Sequence, residues 1–130
     1  MNAYATMARR FYEENTVNTA SPLKLVILLY DGAIKFFKLA KQAFAEGDEM
    51  LARMHMAKAE RIVLELLGSL NVEEGGEIAA NLFALYRFIL RECARTNREN
   101  AATTLSGVIR ILSGLREAWK ELESRGQGTS

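Results

Sequence analysis

One stretch of this sequence carries more apolar surface than a single helix face can hide. Residues 19–44 read TASPLKLVILLYDGAIKFFKLAKQAF. Ser21 is a candidate N-cap, its hydroxyl placed to accept a backbone N–H of the first turn. Pro22 follows at the first helical position, where its fixed φ fits and its missing N–H costs nothing. At about 100° per residue, Lys24, Asp31, Lys35, Lys38 and Gln42 fall in one narrow wedge. Val26, Tyr30, Ala33, Phe37, Ala40 and Phe44 form one apolar stripe, with Leu25, Leu29, Phe36 and Ala43 beside it. Ile27 and Ile34 lie on one flank, Leu28 and Leu39 on the other. About two thirds of the circumference is apolar, against a ≳100° stripe for an ordinary surface helix. Such a helix must be covered from more than one side.

The remaining chain supplies candidate covers, and all of them are helical. The sequence has one proline and few alternating β-branched runs. The spacing predicts a short helix over 3–14, with Tyr4, Met7, Ala8, Phe11 and Tyr12 on one side. A polar linker over 15–20 leads to a long helix over 22–46. Gly47 stops that helix and Asp48 caps the next, so the connection is tight and the neighbours run antiparallel. A third helix over 49–70 carries Met56, Ala59, Val63, Leu66, Leu67 and Leu70, widened by Met54 and Ile62. Residues 71–76, NVEEGG, read as a loop. A helix over 77–95 turns Ile78, Leu82, Leu85, Tyr86, Ile89 and Cys93 inward and leaves Phe88 off that face, half-buried. Asn100 reads as the N-cap of a last helix over 101–123. In it Leu105, Val108, Leu112, Leu115, Trp119 and Leu122 form a bundle seam. Beside the seam runs a stripe of mostly small residues: Thr103, Gly107, Ile111, Gly114, Ala118. Each mid-helix glycine costs about 1 kcal/mol against alanine, so the close approach of another segment is the expected reason for it. The reading is one all-α domain, an antiparallel up-down four-helix bundle over 21–123. A short extra N-terminal helix and linker occupy 1–20, and 124–130 is a disordered tail.

Catalytic chemistry is missing from this pattern. The single histidine, His55, cannot build a common metal site without an acidic or thiol cluster. The single cysteine, Cys93, sits on an apolar helix face as a small hydrophobe and fits a reducing compartment. Gly75-Gly76 is flanked by Glu73, Glu74 and Glu77, which would repel a phosphate. A formal net charge of +1 makes no general case for nucleic acid or anionic membrane. The longest apolar run, LVILLY, is far short of a membrane span. MNAYATMARRFYEEN has no continuous apolar core of a secretory signal. The expectation is a cytoplasmic binding protein, not an enzyme, without cofactor or metal.

Five blocks, taken in order, carry a family resemblance. Asn15, Val17 and Thr19-Ala20-Ser21-Pro22 form the first, and Leu29-Tyr30-Asp31-Gly32-Ala33-Ile34 the second. Lys58-Ala59 with Ile62, Glu65 and Leu66 is the third. Gly75-Gly76-Glu77-Ile78-Ala79 with Asn81-Leu82 and Leu85-Tyr86 is the fourth. Leu115-Arg116 with Ala118-Trp119-Lys120 closes the set. Together they resemble the flagellin-specific export chaperones of the FliS family, over about residues 12–121, with departures at Lys24, Glu74, Phe88 and Gly107. The resemblance implies a helical bundle that binds the disordered C-terminal segment of flagellin in the cytoplasm. It implies that the client wraps the bundle, is kept from polymerising early, and is delivered to the cytoplasmic domain of the export gate.

Candidate client-binding residues are Leu25, Leu28 and Ile34 on the first long helix and Asn81, Leu85 and Phe88 on the helix over 77–95. Asn81 reads either as a partner for client backbone or as a solvated helix polar. Tyr30 and Trp119 read as structural, with client contact as the other reading. Tyr4, Met7, Phe11 and Tyr12 form an apolar face too short to stand alone. They are candidates for a cap over the surplus apolar surface when no client is bound, and the resemblance adds contact with the export gate. The alternative reading is a generic helical interaction module or homodimer, its surplus apolar arc a self-complementary interface.

Overall fold

The computed structural model describes residues 22–129. Four helices account for nearly all of them: α1 (Pro22–Ala45), α2 (Glu49–Gly68), α3 (Val72–Arg95) and α4 (Ala101–Thr129). The N-cap expected at Ser21 and the short helix expected over 3–14 lie outside the described residues.

The connections are short, and side-chain and backbone caps close them. Gly47 takes φ 81°, which a residue without Cβ adopts freely. Its N–H donates to the Phe44 carbonyl at 3.1 Å and that of Asp48 to Ala43 at 2.9 Å, satisfying the last carbonyls of α1. Asp48 then caps α2 by accepting from the Leu51 N–H at 3.1 Å. Both expectations for this turn hold. Asn71 caps α3 by accepting from the Glu74 N–H at 3.1 Å. Residues 72–75 therefore form a helical turn where a loop was expected. The break comes at Gly76, with φ 61° and ψ −141°, and the main run of α3 follows it. Before α4 the capping oxygen belongs to Asn97, not Asn100: Asn97 Oδ1 accepts from the Asn100 N–H at 2.9 Å. Asn100 Oδ1 returns the bond to the Asn97 N–H at 2.8 Å, which completes a reciprocal capping box.

Packing follows a ring. α1 lies against α2 and α4, and α3 lies against the same two helices. The α1–α2 contact is the most extensive and the α3–α4 contact the thinnest. The two covers of α1 explain its wide apolar arc. Leu25, Ile27, Tyr30, Ala33, Ile34, Phe37, Ala40, Ala43 and Phe44 are all buried, while Leu28 and Leu39 remain exposed on the outer flank. Tyr30 and Tyr86 are hydroxyl-to-hydroxyl hydrogen-bonded across the bundle centre. That bond lets two polar groups sit in a core otherwise built from aliphatic and small residues. Burial pushes the Tyr30 phenol above its ordinary pKa, partly offset by the bond to Tyr86. The Arg116 guanidinium donates to Asp31, tying α4 to α1 nearer the rim.

Four expectations need correction. Ile78, expected inward, is 71% exposed, and Leu122 of the expected seam is 50% exposed. Both line a cleft between α3 and α4, the helix pair with the thinnest contact, and no other described residue covers them. Met54, expected to widen the core face of α2, is likewise half-exposed. Among the described residues no segment approaches the glycines of α4 closely: a Cβ built on Gly107 or Gly114 meets none of their atoms within 4 Å. The end expected at Glu123 is also passed, since α4 continues to Thr129. Arg125 and Glu121, paired at 2.6 Å, span the turn at which it was expected to stop.

Candidate functional site

The thin seam between α3 and α4 leaves an apolar trench. Its deepest part is a cleft of about 310 Å³ lined by Ile78 and Leu82 of α3 and by Leu115, Ala118, Trp119, Glu121, Leu122 and Arg125 of α4. Helical register extends both walls. On α3, Ile78, Asn81, Leu85 and Phe88 are spaced 3, 4 and 3 residues apart and share one flank. Because Ile78 lines the cleft, that flank borders α4. On α4, Gly107, Ile111, Gly114 and Ala118 repeat at 4, 3 and 4, and Ala118 lines the same cleft. The α4 wall is therefore low, and no other described residue stands within 4 Å above its glycines. The α3 wall is higher: Phe88 is 39% exposed, Asn81 is exposed and Leu85 half-buried. A low wall of small residues beside a ridge of large ones suits the apolar face of a docking helix.

Charge at the cleft is balanced. Glu121 and Arg125 pair with each other, so the attraction offered there is mainly apolar contact. Trp119 serves two purposes: its ring packs on Tyr30 with centroids 6.5 Å apart, and it lines the cleft. Tyr30 is fully buried, so its structural reading holds. Cys93 is buried beneath α3, and its thiol is pushed up to about 12 by burial first and then by Glu60 and Glu92. That thiol is a core atom rather than a nucleophile. Among the described residues no group of three or more His, Cys, Asp or Glu side chains is placed to share a metal ion. Among the same residues no helix is long and apolar enough to cross a membrane.

The six sequence-derived binding candidates do not gather in one groove. Asn81, Leu85 and Phe88 lie together on the α3 flank. Leu25 and Ile34 are buried, and Leu28 is exposed on the outer flank of α1. Since α1 and α3 are each flanked by α2 and α4, the two sets occupy separate faces. Ile78, Leu115, Ala118 and Leu122 were missed as site residues, because a seam position reads as core until its neighbour is known. The glycine stripe was the available signal, and it marks space that no other described residue fills. Tyr4, Met7, Phe11 and Tyr12 lie outside the described residues.

Comparison with known proteins agrees with the block pattern of the sequence. The family model described as "Flagellar protein FliS" matches residues 4–126. The flagellar secretion chaperone FliS of Bacillus subtilis is 34% identical over 110 residues, covering 85% of this chain and 81% of that protein. The Salmonella typhimurium protein of the same name is 34% identical over 113 residues, 86% of this chain and 84% of its own. That of Campylobacter jejuni is 32% identical over 118 residues, 91% and 92% of the two chains.

Proposed function

The chain belongs to the FliS family, and from that premise we propose that it is a cytoplasmic flagellar export chaperone, not an enzyme. Its client is the disordered C-terminal segment of flagellin. Binding hides the surface through which flagellin would polymerise too early and presents the client to the cytoplasmic domain of the export gate. In this reading the bundle runs up and down with antiparallel neighbours, which its short connections support.

The apolar trench between α3 and α4, which no described residue fills, supports this reading. Burying an apolar side chain stabilises a complex by about 1.5–3 kcal/mol when it was fully exposed. Ile78, Leu122 and Phe88 offer that gain in proportion to their exposure, and a helix crossing Gly107 and Gly114 can approach closely. A disordered client loses conformational entropy on ordering, so a preformed apolar trench is the receptor it needs. The exposed Leu28 and Leu39 on α1 support a client that wraps to a second face. The segment bearing Tyr4, Met7, Phe11 and Tyr12 covers apolar surface before the client arrives, exchanges with it, and then contacts the gate.

Flagellin polymerisation followed by light scattering tests the proposal. An equimolar amount of this chain should suppress filament growth. The Ile78→Asp, Leu122→Asp double variant, its helix content unchanged, should not. Growth unaffected by the unaltered chain would overturn the proposal.

A further inference from the structure

A second groove lies on another side of α4. It has a volume of about 630 Å³ and runs between Lys38, Lys41 and Gln42 of α1 and Ser106, Ile109 and Arg110 of α4. At 100° per residue this face is about 110° around α4 from the stripe of Gly107, Gly114 and Ala118. The two grooves can therefore be filled at the same time.

The lining of this groove is basic. Three cations line it and no carboxylate does. Among the described residues, none of Lys38, Lys41 and Arg110 makes an ion pair. By contrast Arg53, Arg95, Arg116 and Arg125 each pair with an acid, and Lys35 and Lys58 stand over the Phe36 ring. Asp31, further up the same seam, is committed to Arg116. Glu46, the carboxylate tied to a lining residue, accepts from Gln42 Nε2 at 3.0 Å. Arg61, Arg91, Arg98 and Lys120 likewise make no ion pair among the described residues; what this groove adds is three such cations facing one cleft with no carboxylate in its lining. Ile109 and the lysine stems add apolar floor, and the Ser106 hydroxyl and Gln42 amide add hydrogen-bonding groups.

We propose that the α1/α4 groove is a docking site for an acidic amphipathic helix of a partner protein, distinct from the α3/α4 trench. Lys38 to Ala45 covers about 10 Å of helix, which matches two turns of a bound helix. Carboxylates on one side of that helix meet Lys38, Lys41 and Arg110, and an aliphatic side chain rests on Ile109. Nucleic acid fits less well. The lining has no aromatic ring on which a base could stack, and the whole chain offers no strong positive field.

The probe is a fluorescein-labelled helical peptide of glutamate, alanine and leucine, about four turns long, read by fluorescence anisotropy. The unaltered chain should bind it saturably, and more weakly as salt rises from about 50 to 200 mM. The Lys38→Glu, Lys41→Glu, Arg110→Glu triple variant should lose about tenfold or more in affinity. The milder triple change to Gln should move the same way. Arg61→Glu, Arg91→Glu, Arg98→Glu alters net charge equally and should keep the affinity. All these variants should bind the flagellin C-terminal segment unchanged, so failure here is separable from failure of the chaperone reading. Equal loss in both glutamate triples, no saturable binding, or displacement of the peptide by an equal concentration of oligouridylate would overturn the proposal.

Discussion

Replacing Gly107 and Gly114 with alanine separates what stabilises this bundle from what lets it bind. Both glycines lie within α4, and an added Cβ meets no described residue within 4 Å at either. The methyl group therefore enters without strain. Each change should stabilise the fold by about 1 kcal/mol through helix propensity and a less free unfolded chain. The pair should raise the melting temperature by about 5–8 °C in a domain of this size. The same two methyls stand in the path of a helix docked across the α4 wall of the trench. They should hold it off and weaken the flagellin C-terminal segment by about tenfold, or 1.4 kcal/mol. Thermal melts followed by circular dichroism and anisotropy titrations of a labelled flagellin segment read the two effects on one preparation. A higher melting temperature with unchanged affinity would refute the trench as the binding surface. A lower melting temperature would refute the open space assigned to these glycines.

Three further predictions concern the core and its turns. Tyr30→Phe and Tyr86→Phe should each cost about 1–2 kcal/mol by removing the buried hydrogen bond between the two hydroxyls. The double variant should cost less than their sum by at least about 0.5 kcal/mol, and additivity in urea melts would show that the two hydroxyls do not interact. Cys93 is held neutral in the fold, its pKa raised from the ordinary 9.0 to about 12. The stability this gives is complete below pH 9 and is lost as pH rises from 9 towards 12. Melting temperature should therefore fall more steeply with pH in that window for the unaltered chain than for Cys93→Ala; parallel curves would contradict a buried neutral thiol. Gly76→Ala, at φ 61°, should destabilise by about 1–3 kcal/mol, since a side chain there is strained although space is free; a neutral result in chemical denaturation would argue against the break at that residue.

What could be read from the sequence was the part that local chemistry determines. The Gly47 stop and the Asp48 cap each follow from one or two residues and their φ preferences. The wide apolar arc of α1 correctly required covers on two sides, which α2 and α4 provide. Periodicity states which face is apolar but not how far the neighbouring helix extends. Ile78 and Leu122 satisfy the core pattern of their helices and yet stand exposed where α3 and α4 separate. The glycines of α4 were noticed for their cost and explained by the close approach of another segment; among the described residues no such segment comes near them. Asn97 lost to Asn100 as the expected cap because both are good capping residues three apart, and only the backbone shows which of them opens the helix. The basic groove was invisible, since Lys38 and Lys41 belong to the solvated wedge of α1 until Arg110 of α4 is placed beside them.

Isothermal titration calorimetry of this chain with the C-terminal segment of flagellin from the same organism tests the central claim most directly. The account predicts saturable 1:1 binding with a negative heat-capacity change, the mark of apolar surface buried by an ordering client. It also predicts that Ile78→Asp, Leu122→Asp abolishes the heat while the bundle stays helical. A folded chain that takes up no flagellin segment would contradict the account, as would binding left intact when both walls of the trench carry charge.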